Sequence, residues 1–280
     1  MKSIKELRSK FLQLLPSPES DSLLQLSCNK EKAFILAHPE YKLSIRELII
    51  FFYYLFEIKH GIPIAYLAGK KEFYGLNFKI NKHTLIPRPD TELMVEEVLA
   101  DVNSSQLQIS DTTLIDVGTG SGCIPISVLK NLKQFPKETL AIDISNRALK
   151  VAKENAKQNG VSIKFIHGNL LTPILNYSLN TNIVLTANLP YLTIEQFINE
   201  PSIQHEPKSA LVSSDNGLAL YKKLMEQIKI LNKTVTVFLE IDPNQTEKIK
   251  TIIIALFPQA KIKIKTDLAG RDRLVILKIN

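Results

Sequence analysis

Three short stretches of this sequence hold residue types that do chemistry only at particular spacings. The first, Asp116-Val117-Gly118-Thr119-Gly120-Ser121-Gly122, follows the apolar run TTLI and precedes a helix-like stretch. Glycines between a strand and a helix let the backbone turn sharply and come close to a ligand. The second is Asp143, ending the run TLAID 21 residues after Gly122. In doubly wound folds an acid at this place accepts hydrogen bonds from ribose hydroxyls. The third is Asn188-Leu189-Pro190-Tyr191, after the run NIVLTA. A carboxamide or exocyclic amine has a delocalised lone pair and is a poor nucleophile. An asparagine oxygen and the next backbone carbonyl can accept its two N–H groups and turn its face toward an electrophile. The Tyr191 ring can stack on the same flat group. Taken singly, each stretch is also an ordinary turn; together they describe a site.

The glycine spacing narrows the ligand. A dinucleotide fingerprint, G-x-G-x-x-G, would place its third glycine at position 123, which is Cys123. Here it comes one residue early, at Gly122, and no Lys-Ser/Thr follows as a phosphate-binding P-loop requires. G-x-G-x-G after an acid is the pattern of S-adenosylmethionine-dependent methyltransferases. Other chemistries find little support. The five histidines are scattered without metal-ligand spacing. Ser121 lacks the flanking glycines of a hydrolase elbow, since Thr119 and Cys123 stand there.

The elements that must position these residues alternate. Strands are expected over 112–117, 139–144, 162–167, 181–187, 234–241, 260–266 and 273–279. Helices are expected over 91–101, 121–133, 145–158, 217–231 and 244–256. Strands separated by helices of this length predict an α/β, doubly wound, mostly parallel Rossmann-like sheet. The tight DLAGRD link between the last two strands predicts an antiparallel edge hairpin. Residues 1–72 read as a helical domain: Ser3/Glu6 and Ser44/Glu47 have capping-box spacing, and Ile4, Leu7, Phe11 and Leu14 recur at helical intervals. Helices are expected over 20–27 and 30–38, and the very apolar segment 44–58 is expected to be a buried helix. Residues 64–88 read as extended or hairpin, with a connector over 73–90, and the sheet domain occupies 91–280.

Composition is ordinary for a globular chain: 45% hydrophobic and 22% charged residues. The longest apolar run, Leu48 to Phe56, is far shorter than the roughly 20 residues that span a bilayer. Two cysteines, Cys28 and Cys123, make no disulfide framework. The charged N-terminus lacks a signal core. A cytoplasmic protein with no membrane partner is expected. The formal charge is +7. A mild basic excess suits a partner near RNA, and a lysine-rich composition accounts for it equally well. No basic cluster marks a direct nucleic-acid substrate.

At this point the sequence resembles a known family, the PrmC/HemK-type protein-(glutamine-N5) methyltransferases. The resemblance is carried by residues 62–96, with LIPRPDTE at 85–92 the most specific, by LIDVGTGSGCIPIS, by Asn188 to Tyr191, by EPKSALVSSDNGLALY and by DLAGRDRLV. It implies a class I methyltransferase domain and S-adenosyl-L-methionine as cofactor, with S-adenosyl-L-homocysteine as product. It also implies that the acceptor is the glutamine of a Gly-Gly-Gln motif in peptide chain release factors, recognised with help from the N-terminal domain. By position, Gly118, Thr119, Gly120, Ser121, Gly122 and Asp143 match the cofactor motif. Asn169 and Leu170 fall near the adenine. Asn188, Leu189, Pro190 and Tyr191 match the substrate and catalytic motif, with Asn188 also close to the cofactor. Two residues depart from the pattern: Leu189 replaces a proline, and Asn169 stands where the family commonly has Asp. The alternatives are a ribosomal-protein glutamine methyltransferase, an adenine-N6 DNA or RNA methyltransferase, and a binding module that has lost catalysis.

Overall fold

A computed structural model describes residues 1–13, 15–104, 109–179 and 182–280. They form two compact units, residues 1–69 and 70–280. The first is helical, with α1 (Ile4–Phe11), α2 (Ser17–Cys28), α3 (Lys32–Ala37), α4 (Ile45–Lys59) and α5 (Ile64–Ala68). Both expected capping boxes form: the Glu6 carboxylate accepts from Ser3 N, and that of Glu47 from Ser44 N, each at 2.7 Å. Each box satisfies two amides that a helix start leaves unpaired. Ile4, Leu7, Leu24, Ile35 and Phe51 close a small core; Leu14 lies outside the described residues.

Two expectations fail here. The apolar segment 44–58 is not buried all round: α4 buries Phe51 and Leu55 but leaves Ile45, Ile49, Tyr53 and Phe56 more than half exposed. And residues 64–68 are helical, not extended. Pro63 precedes the turn and Gly69, at φ +66°, closes it. Five residues are too few to show a helical period in sequence.

The second unit opens with a hairpin of β1 (Lys70–Phe73) and β2 (Leu76–Lys79). Tyr74 and Gly75 both have positive φ, as a two-residue hairpin turn demands. Then follow α6 (Glu92–Ser104), β3 (Thr112–Val117), α7 (Cys123–Asn131), β4 (Glu138–Asp143), α8 (Asn146–Asn159), β5 (Lys164–His167), β6 (Asn182–Ala187), α9 (Ile194–Asn199), α10 (Ala219–Leu231), β7 (Thr234–Glu240), α11 (Thr246–Leu256), β8 (Lys261–Thr266) and β9 (Asp272–Ile279). The sheet order is β5-β4-β3-β6-β7-β9-β8, parallel except for β9 against β7 and β8. This is the expected doubly wound sheet with its antiparallel edge hairpin. The first residue of the strand expected over 181–187 lies outside the described residues.

Central strands buried on both faces need apolar residues at every position, not every second one. Ile115, Ile142, Leu185, Val237 and Leu239 face one core with Leu224 and Met225 of α10 and Ile249 of α11. Leu114, Val184 and Phe238 face the other, with Val95 and Val98 of α6, Ile124 of α7, and Phe73 and Phe78 of the hairpin.

The register sets the site. Val117 pairs with Ile142 and with Ala187, and Ala187 pairs with Leu239. One residue further on, Asp143, Gly118, Asn188 and Glu240 therefore stand side by side at the carboxyl ends of four adjacent strands. That edge is where open α/β sheets bind ligands.

Candidate active site

The turn after β3 is built around backbone approach. Gly118 has φ +74°, and a Cβ on it would meet Leu189 Cδ2 at 3.0 Å. Its N–H donates to Ile142 O at 2.8 Å, tying the turn to β4. The turn then enters α7 through Gly122, at φ +80° and packed on Ala152. Asp143 supports the same turn: Oδ2 accepts from Gly120 N and Oδ1 from Ser145 N, both at 2.8 Å. Each oxygen keeps a lone pair for a ligand hydroxyl. Burial raises the Asp143 pKa, against those two N–H groups, which favour the charged form.

Between β3, β4 and β6 lies a cavity of about 500 Å³, ample for a small cofactor. Gly118, Gly120, Asp143, Asn169, Leu170, Asn188, Leu189 and Pro190 all line it. Thr119, Ser121 and Gly122 are not among its lining residues; they shape the turn from behind. Asp116 also stays out. It is fully buried, accepts from Thr186 Oγ1 at 2.7 Å, and burial pushes its carboxyl up to about 6.

A smaller recess, about 40 Å³, adjoins this cavity and shares Leu85, Asn188, Leu189 and Ala210 with it. Arg88, Tyr191, Leu192, Leu211 and Glu240 complete its wall. Here Asn188 Nδ2 donates to Thr91 Oγ1 at 3.2 Å, leaving Oδ1 as an acceptor. Tyr191 Oη donates to Glu240 Oε1 at 3.2 Å. Leu189 is only 3% exposed. Its side chain seals the glycine turn, while its carbonyl lies 3.4 Å from the buried Tyr221 hydroxyl. The leucine that departs from the proline pattern is thus held by packing.

Four supporting residues were not visible as such in the sequence. Glu206, its side chain 1% exposed, pairs with Arg88 and accepts from Ile86 N at 3.0 Å. It staples LIPRP to the segment carrying Ala210 and Leu211. Asn155 of α8 accepts from Lys79 N at 2.7 Å and donates to Ser121 O at 2.9 Å, joining the hairpin to the glycine turn. Gln245 donates to Tyr191 O at 2.9 Å and to Asn216 O at 3.0 Å. Glu240 is the fourth. The available signal for it was a lone acid ending the buried run VTVFL.

The family described as "Methyltransferase domain" matches residues 109–265. A protein of Enterococcus faecalis named "Release factor glutamine methyltransferase" is 40% identical over 217 residues, 76% of this chain and 75% of that protein. Proteins of the same name from Bacillus subtilis and Flavobacterium psychrophilum are 33% and 32% identical, covering 93% and 99% of this chain and 91% and 99% of theirs. Among solved structures, the N-terminal domain of human METTL16 in complex with SAH aligns over 74% of this chain and 76% of its own, at 19% identity and a TM-score of 0.51. That likeness shows the fold.

Proposed function

The chain belongs to the release factor glutamine methyltransferases, and from that premise we propose which of its residues perform the reaction. The enzyme transfers the methyl group of S-adenosyl-L-methionine to the side-chain N5 of a release-factor glutamine. When bound, S-adenosylmethionine supplies a methyl on a positively charged sulfur, and the sulfur keeps the bonding electrons as it leaves. The larger cavity fits this cofactor: a glycine cradle that a Cβ would fill, with a carboxylate on its wall.

Asp143 would hold the ribose hydroxyls, while Gly118 and Gly120 let the backbone approach. Asn169 and Leu170 line the adenine end. The glutamine side chain enters the smaller recess. Asn188 Oδ1 accepts one amide N–H and fixes the nitrogen's face toward the methyl group. Pro190 keeps the loop rigid, and Tyr191 packs on the flat amide. The observation that carries this reading is the Asn188–Thr91 hydrogen bond. It commits the asparagine's donor and leaves its acceptor to the substrate. The acceptor motif is the Gly-Gly-Gln of the release factor, and the reaction belongs to the cytoplasm, where release factors work. The helical unit of residues 1–69 is assigned to recognising that factor.

Incubation of the enzyme with labelled cofactor and purified release factor, followed by peptide mass mapping, tests the reading. One added methyl on the Gly-Gly-Gln peptide is expected, absent when that glutamine is replaced. Label found only on a ribosomal protein or on adenine would favour the rivals. Two cofactor-side outcomes accompany it, both measured by titration calorimetry with S-adenosylhomocysteine. Asp143→Ala removes a charged acceptor and is expected to weaken binding by about 2 kcal/mol, on the order of 30-fold. Asn169→Asp restores a charged acceptor and is expected to tighten binding about fivefold. No gain would show that residue 169 does not meet a ligand donor.

A further inference from the structure

Glu240 joins Tyr191 in the recess, yet the mechanism above gives it no part. It ends β7 beside Asn188 and is 2% exposed. Its Oε1 accepts from Tyr191 Oη, while Oε2 is buried with no hydrogen-bond partner among the described residues. A buried acceptor left unpaired costs on the order of 1–3 kcal/mol, more when charged. The neighbouring Arg273 cation offsets part of that cost by its charge but makes no hydrogen bond to Oε2. Arg273 is committed to Asp90 at 3.3 Å, Asp267 at 3.2 Å and Ile241 O at 3.4 Å. The recess that Glu240 lines, about 40 Å³, holds little more than one small polar group. Leu189 O also stays open to a substrate N–H, because the one Tyr221 Oη proton goes to Glu240 O and not across the 3.4 Å to Leu189 O. Glu240 Oε2 is thus a buried acceptor in the wall of the recess, beside the Thr91 hydroxyl and without a hydrogen-bond partner among the described residues.

We propose that Glu240 Oε2 receives an N–H of the acceptor carboxamide and then takes its proton. This rests on the functional reading above. The methylated nitrogen carries a positive charge and one proton too many. The N–H bond breaks and its electron pair returns to nitrogen, restoring the planar amide. The proton forms an O–H bond at Glu240 Oε2 and passes to water when product leaves. The same carboxylate selects the substrate, because a glutamate side chain offers it no donor and repels it.

Several groups face this carboxyl. Tyr191 comes from the loop after β6, Thr91 and Asp90 from the turn before α6, Arg273 from β9 and the Tyr221 hydroxyl from α10. Burial raises the Glu240 pKa, opposed by Thr91, Arg273 and Tyr191, with Asp90 adding to the rise. The ionised form is the working one, so the rate falls as pH drops through that raised value.

The test compares Glu240→Gln and Tyr191→Phe with the unaltered enzyme on purified release factor, across pH. Glu240→Gln keeps the side chain's size and its acceptor for Tyr191. It is expected to lower kcat by about 10²–10⁴-fold, to lose the acidic limb of the profile, and to leave S-adenosylhomocysteine affinity unchanged. Binding gives a readout apart from turnover. Glu240→Gln should bind a Gly-Gly-Gln peptide more weakly and lose the preference for it over a Gly-Gly-Glu peptide. Tyr191→Phe should retain both the preference and the acidic limb. Unchanged kcat in Glu240→Gln overturns the proposal. So do equal losses in the two variants with the acidic limb intact, which would make Glu240 an anchor for Tyr191 alone. If the unaltered enzyme leaves release factor unmethylated, the functional reading itself falls.

Discussion

Asn188→Ala is expected to cut methyl transfer to release factor by on the order of 10²–10³-fold, with little change in S-adenosylhomocysteine affinity. Asn188 stands at the tip of β6, one residue beyond a register shared with β3 and β7. Its amide nitrogen is spent on Thr91, so truncation removes the free oxygen and the link to Thr91 together. An amide nitrogen without that acceptor rotates, and its lone-pair face loses the methyl donor. The cofactor keeps Asp143 and the glycine turn, so its affinity survives. Single-turnover transfer of labelled methyl, paired with calorimetric binding, checks both halves. Near-normal turnover would remove Asn188 from the positioning role.

The second large effect lies away from the reacting atoms. Gly217 has φ +82°, and a Cβ there would stand 1.9 Å from Tyr191 O and 2.4 Å from Gln245 Nε2. Both neighbours are fixed, because Gln245 holds Tyr191 O and Asn216 O at once. Gly217→Ala must therefore push the Tyr191 backbone out of place. The left-handed backbone adds about 1 kcal/mol, and losing the two hydrogen bonds about 1 kcal/mol each. A total of about 3 kcal/mol corresponds to a fall in melting temperature of roughly 6–12 °C for a domain of this size. A displacement near 1 Å at Tyr191 would also lower kcat/KM by on the order of 10²-fold. Calorimetry and steady-state rates measure the two consequences. Wild-type values for both would show that the loop yields easily.

What the sequence disclosed follows from where the constraint lies. The glycine turn, Asp143 and Asn188 are legible because each follows directly on a strand of buried apolar residues, and the strand itself announces the tip. The parallel order and the edge hairpin follow from helix-length connections and one short link. Glu206, Asn155 and Gln245 act through partners 29 to 120 residues away in the chain. Nothing near them in sequence distinguishes a staple from a surface amide or acid. Helix α9 carries one local signal, the Thr193–Gln196 capping box, but its six residues are too few to show a period. The apolar run of α4 misled in the other direction. It predicts burial all round, whereas Phe51 and Leu55 alone are buried in the structure.

The row of Asp143, Gly118, Asn188 and Glu240 amounts to a ruler. Neighbouring strands lie about 4.8 Å apart, so the first and last of four adjacent tips stand roughly 15 Å apart, the span that would separate the proposed ribose and acceptor sites. The graduations are cut by main-chain ladders, whose spacing does not depend on which side chains hang from them. Loops around such a ruler can be exchanged to admit another acceptor without recalibrating the distance over which the methyl group must be delivered.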